Sequence, residues 1–265
     1  MLDQPSDLAT GSTPPATRAG RRSGSGRQPR TDWRLGGRTV RAWREGLLAV
    51  ALISLGIALL AGTLIDTLWE SPLAGPVALA LMWIGMLVPV VLALTRSRPI
   101  GLLRVRWIDL LYGVALALLL RLMQGWLAQG LGGDRSLPSV TLVDGRLPTS
   151  WWLTDGLASI VIAAPLEEFF FHAVVLVALY TLMRRPFGKT AAGVVAGLVS
   201  TALFVTLHAL AGGALPVDQV VSLLLLGLTC AALVLLTGRI WGAVIVHALF
   251  NATWVVLVVL GTIWG

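Results

Sequence analysis

Two adjacent glutamates, three histidines and one asparagine are the residues of this 265-residue chain best suited to chemistry: Glu167, Glu168, His172, His208, His247 and Asn251. Those three are the whole histidine complement, and each falls in a long apolar stretch. A charge or imidazole inside a bilayer is costly unless paired or solvated, so it is a functional hypothesis by default. Glu168 and His172 are four apart, as are His247 and Asn251, so each pair shares one face of a helix. Glu167 points about 100° away from Glu168 around the 3.6-residue turn. The expectation is that Glu168 ties locally to His172 while Glu167 faces another helix.

A glutamate in a low-dielectric cavity is a better base than one in water. It suits the removal of a proton from water, and a nearby histidine would hold the same water. A second histidine and an asparagine on a facing helix supply donors for an oxyanion as it forms. These are the parts of a hydrolase acting on an amide carbonyl without a serine nucleophile. The same side chains, Glu167, His208 and His247, would alternatively hold one zinc ion. The H-E-x-x-H helix of soluble zinc proteases is absent, which disfavours that conventional form. Each buried polar residue taken singly reads as interhelical glue. Six of them on three spans point to a shared site. A proton-relay transporter is the rival from another class, but it needs polar lining on both sides, and the spans show little outside these residues. Arg121, in the third span, either snorkels or meets a carboxylate, and it is not assigned to the site.

The elements that must position these residues are membrane spans. Hydrophobic residues make up 56% of the chain and charged residues 12%, with a mean hydropathy of +0.83. Apolar stretches of spanning length lie near 45–65, 74–95, 107–131, 152–183, 190–212, 219–237 and 240–263. The fold class is therefore all-α, a polytopic transmembrane bundle of about seven spans. Pro165 inside the long fourth stretch predicts a kink. Residues 1–42, rich in Gly, Ser, Pro and Arg, read as a disordered basic cytoplasmic tail. Residues 43–150 carry three spans, and 151–265 carry the residues with chemistry.

Nine arginines lie between Arg18 and Arg44. Their place beside the first span marks the cytoplasmic side and gives no nucleic-acid partner. Anionic lipid headgroups are the expected partner of this block, with the bilayer around the spans. Later links alternate. Asp66 and Glu70 are followed by Arg96, Arg98, Arg104 and Arg106, then by the mixed Asp134, Arg135, Asp144 and Arg146. Arg184, Arg185 and Lys189 come next, then Asp218, then Arg239. The alternation predicts a cytoplasmic N-terminus and an outside C-terminus, in the plasma membrane of a bacterium. Trp69, Trp107, Trp151, Trp152, Trp241 and Trp264 stand near span ends and read as an interfacial belt. The single Cys230 reads as packing.

Three motifs carry a resemblance. Glu167-Glu168-Phe169-Phe170-Phe171-His172 is similar to the Glu-Glu-x-x-x-Arg motif of the CPBP intramembrane proteases, the Abi or type 2 CAAX-processing endopeptidase family. Phe204-Val205-Thr206-Leu207-His208 resembles its Phe-x-x-x-His motif, and His247-Ala248-Leu249-Phe250-Asn251 its His-x-x-x-Asn motif. The resemblance covers roughly 150–260 and implies a protease acting on a membrane-associated polypeptide. Glu167 would activate water and His208 help hold it. His247 and Asn251 would stabilise the oxyanion, and Glu168 would support them. The family is labelled metalloprotease, while a metal-free glutamate mechanism has also been argued for it. This sequence departs by placing His172 where the family has arginine. The pairing with Glu168 should then be weaker and pH-sensitive, and a non-catalytic scaffold that keeps the fold is the alternative. At 1.5 Å per residue, His247 lies about 12 Å from Arg239 and His208 about 28 Å from Lys189. A shared site therefore requires tilt or a seventh span that starts deeper.

Overall fold

The computed structural model describes residues 32–35, 40, 42–131, 136–213 and 215–264. Among these it forms seven helices long and apolar enough to cross a membrane. They are α1 (Glu45–Leu68), α2 (Ala74–Arg96), α3 (Trp107–Gly130), α4 (Thr149–Met183), α5 (Gly188–Gly212), α6 (Val217–Thr237) and α7 (Trp241–Trp264). Each begins and ends within a few residues of the stretch that hydropathy marks. The chain is an integral membrane protein.

α4 is the central helix. Of its most apolar window 61% is buried, against 17% to 39% for the other six. Apart from Glu167, Glu168 and His172 its second half is apolar on most faces, and Phe170, Phe171, Val174, Val175, Leu176 and Val177 are at most 1% exposed. A helix apolar on most faces belongs inside a bundle. α1 and α2 form a hairpin whose sides meet α4, and α3 lies along α7. Where α3 crosses α7, Gly113 is required, because a Cβ there would fall 2.2 Å from Ile245 Cγ2.

Pro165 does not break α4. Its ring removes a donor and crowds the carbonyl four residues back, and the helix answers with widened turns. Residues Trp152–Ala163 and Glu168–Val175 are π-helical, separated by one α-helical turn, Ala164–Glu167, with the proline at its start. Leu176 N–H accordingly reaches Phe171 O, five residues back. Such widened turns are frequent at functional sites. Both glutamates stand where one register gives way to the other.

The links rich in arginine gather at one end of the bundle. Trp33 Nε1 donates to Gly238 O at 3.0 Å, and Arg34 Nη1 donates to Leu235 O and Leu236 O. A cation over the last carbonyls of α6 satisfies acceptors that no helix bond can reach. Arg34 also pairs with Asp32, whose carboxyl its hydrogen bonds hold below the ordinary range. Tyr180 of α4 and Arg184 just beyond it donate to Arg34 O. The expectation of a disordered segment over 1–42 thus fails at its far end, where Trp33 and Val40 are buried. An indole over a helix end is fixed by packing that composition does not reveal. Residues 1–31, with Arg18 to Arg30, lie outside the described residues, as do Asp134 and Arg135.

Asp109 at the start of α3 is 1% exposed and accepts from Arg239 Nε at 3.0 Å and Nη2 at 2.6 Å. Ile240 N–H donates to Leu102 O. The turn between α6 and α7 is therefore recessed beneath two other segments. Gly197 of α5 faces Leu235 and Ala231 of α6. α5 consequently begins about 6 Å beyond that turn, at 1.5 Å per residue. The seventh span starts deeper than the fifth, as a shared site requires.

Candidate active site

His208, on α5, and His247, on α7, both turn toward Glu167 of α4. Glu167 Oε2 lies 3.6 Å from His208 Nε2 and 3.8 Å from His247 Nε2. That oxygen is buried and has no hydrogen-bond partner. Side chains from three helices thus meet within 4 Å of one carboxylate oxygen, although 80 residues separate Glu167 from His247 (247 − 167).

Glu168, one residue on, is fully buried and bridges two histidines. Its Oε1 lies 2.9 Å from His247 Nδ1, and its Oε2 lies 2.8 Å from His172 Nδ1. The expected local tie to His172 is present in distance, yet neither ring nitrogen of His172 meets hydrogen-bond geometry. Its well-directed bond is to His247 on α7. The sequence reading missed this link, since residues 79 apart in the chain give no periodic signal. His172 is wholly buried, and its ion pair is with Glu168 rather than Glu167.

Phe204 sets both rings. It lies 4.4 Å from the His208 ring and meets the His247 ring edge-on at 5.6 Å. It is 1% exposed and packs over Gly227 of α6, where a Cβ would sit 2.8 Å from Thr201 Cγ2. His208 Nδ1 lies 2.9 Å from Phe204 O. A carbonyl only accepts, so Nδ1 carries the proton and Nε2 of the neutral ring is an acceptor.

Asn251 is half-buried, and its Nδ2 donates to Ser159 O in the first π-helical segment of α4 at 3.0 Å. It does not bond to Glu167. It lines, with His208, a cavity of about 470 Å³ that also takes in Arg121, Gln124 and Gln219. Arg121, left out of the site by the sequence reading, is therefore beside it. The signal that could have placed it was its charge at mid-span.

A zinc ion at bond lengths of about 2.1 Å needs tetrahedral ligands about 3.4 Å apart. The gaps of 3.6 and 3.8 Å from Glu167 are wider. Among the described residues no three His, Cys, Asp or Glu side chains converge as a metal ion would require. The residues as placed do not form a zinc cage.

Residues 149–253 match the family Rce1-like, described as type II CAAX prenyl endopeptidase Rce1-like. This stretch is similar to an Rce1-like domain. It runs from the start of α4 to the middle of α7, so it holds both glutamates, the three histidines and Asn251. The family whose model matches this stretch is the one that the three motifs resemble. No curated protein and no solved structure matches the chain. α1 to α3 lie outside the Rce1-like match.

Proposed function

We propose that the protein is an intramembrane endopeptidase in which Glu167 takes a proton from the water that attacks a peptide carbonyl. One observation carries the reading: a buried, unpartnered Glu167 Oε2 stands 3.6 and 3.8 Å from two imidazoles. Gaps of that size suit a bridging water rather than direct bonds.

A water there would donate one hydrogen to Glu167 and the other to the acceptor Nε2 of His208. Its lone pair is then free for the carbonyl carbon. Glu168 accepts from His247 Nδ1–H and fixes that ring. When the ring is protonated, its Nε2–H joins the second amide hydrogen of Asn251 as a donor to the oxyanion. The proton held by Glu167 passes to the departing amine as the C–N bond breaks. His172 supports through Glu168. No step needs a metal ion.

The substrate is a membrane-associated polypeptide. The ends that carry Arg34, Arg104, Arg184 and Arg239 face the cytoplasm, which puts the C-terminus outside the plasma membrane. Anionic headgroups meet the basic segment ahead of α1.

Glu167→Gln keeps the shape and removes the base. In nanodiscs, cleavage of a reporter membrane polypeptide should fall by about 10²-fold or more, with the unfolding temperature unchanged. Full activity in that variant removes Glu167 from the role.

A further inference from the structure

We propose that Arg121 anchors a carboxylate of the polypeptide substrate beside His208 and Asn251. The inference rests on the endopeptidase reading and names what its site recognises.

Arg121 sits fourteen residues from the start of α3 and nine from its end. That is about 21 and 14 Å of helix. Its side chain runs to neither end. It crosses to α7, where Nε donates to Thr253 Oγ1 at 3.0 Å and Nη2 to Phe250 O, while Nη1 donates to Gln124 Oε1. The guanidinium lies 3.9 Å over the Phe250 ring. Snorkelling is thereby excluded.

Every one of these partners is neutral. Among the described residues no carboxylate pairs with Arg121, whereas Arg239 has the buried Asp109. A half-buried cation at mid-span without a counter-charge is costly, and an anionic ligand would offset that. Three of the five guanidinium N–H groups are used, which leaves one on each Nη. Free donors on both Nη atoms form a fork for the two oxygens of one carboxylate.

The cavity ties this fork to the site. Arg121 lines the same space of about 470 Å³ as His208 and Asn251. It extends to Gln219 at the start of α6. A space of this size holds a few residues of peptide, so the carboxylate lies within a few residues of the bond cut. It belongs either to the chain's own end or to an Asp or Glu side chain. Arg121 is outside 149–253, so the family match does not supply this role.

The test reads binding. The full chain in phosphatidylcholine nanodiscs is offered three decapeptide pools: randomised with a free C-terminal carboxylate, randomised with a C-terminal amide, and amidated with Asp and Glu omitted. Retention is measured by mass spectrometry for the wild type, Arg121→Gln and Arg121→Lys. The wild type should retain the third pool about tenfold less than a carboxylate-bearing one. Preference for the first pool over the second assigns the chain end, and equal retention of both assigns a side chain. Arg121→Gln should level the three pools, and Arg121→Lys, which keeps charge without the fork, should recover part of the difference. Equal retention of all pools by the wild type overturns the proposal. So does a preference that survives Arg121→Gln, or bound phosphatidylglycerol that Arg121→Gln releases while peptide carboxylates make no difference. A wild type that retains the acidic pools but cleaves nothing defeats the endopeptidase reading alone.

Discussion

Glu168 of α4 and His247 of α7 are joined by a buried hydrogen bond of 2.9 Å between Oε1 and Nδ1. Removing the charge of Glu168 should therefore disturb a ring on another helix. In Glu168→Gln one amide oxygen can still accept from His247, but the NH2 group then faces His172. The variant should lose about 1–3 kcal/mol of stability from the mismatched buried group. It should also lose about tenfold or more in kcat, because His247 is no longer held. Thermal unfolding and turnover per folded molecule separate the two effects. Unchanged turnover with lowered stability would make the bond a structural tie only.

His172 stands where the resembling family has arginine, and it is fully buried. His172→Arg places a permanent charge and a fork against Glu168 Oε2. Turnover should be kept or raised, because His172 reaches Glu167 only through Glu168. The longer side chain should overpack the core beside Phe204, at about 1–3 kcal/mol. Melting in detergent and cleavage of the same reporter test both halves. Abolished turnover in a folded variant would give His172 a direct part in the reaction.

Asp109 and Arg239 close the recessed turn ahead of α7, with the acid 1% exposed. Asp109→Ala leaves the arginine without its partner. It should cost about 3–5 kcal/mol, as for other buried pairs broken on one side. Asp109→Leu with Arg239→Met should be far milder, since neither charge is then stranded. Unfolding of both variants in the same micelle gives the comparison. Equal losses would show that the pair's charge is irrelevant and only its shape matters.

Much of this molecule was legible as text because lipid imposes a simple rule. Twenty apolar residues in a row must be a helix, so the spans and their order were readable. The histidines were readable for the converse reason, since polar groups are rare there. Pro165 was readable as a disturbance but not as a change of helical register, because the alternatives differ only in which carbonyl each N–H reaches. Trp241 read as an interfacial residue. Its Nε1 in fact donates to Leu103 O at 2.8 Å and its ring meets Phe169 edge-on. The mid-span charge of Arg121 was readable but its direction was not, since that of a long side chain depends on the neighbouring helix. Which helix neighbours which is set by contacts such as Gly113 on Ile245, where a missing Cβ gives no signal of its own.

That contact yields the last prediction. Gly113→Ala would put a methyl group 2.2 Å from Ile245 Cγ2 and 2.7 Å from Ile245 Cβ. Both atoms belong to a β-branched side chain, whose Cβ cannot rotate away, so α3 must move off α7. The expected loss is about 1–3 kcal/mol. Ile245→Ala in the same chain removes the closer of the two atoms and should restore part of it. The movement has a second readout, because Arg121 rides on α3 and its partners Phe250 and Thr253 ride on α7. Gly113→Ala should therefore weaken the preference for carboxylate-bearing peptides, and the added Ile245→Ala should return some of it. Stability lost without any change in that preference would mean that the guanidinium keeps its place when the helices separate, and that α3 does not set the geometry of the cavity.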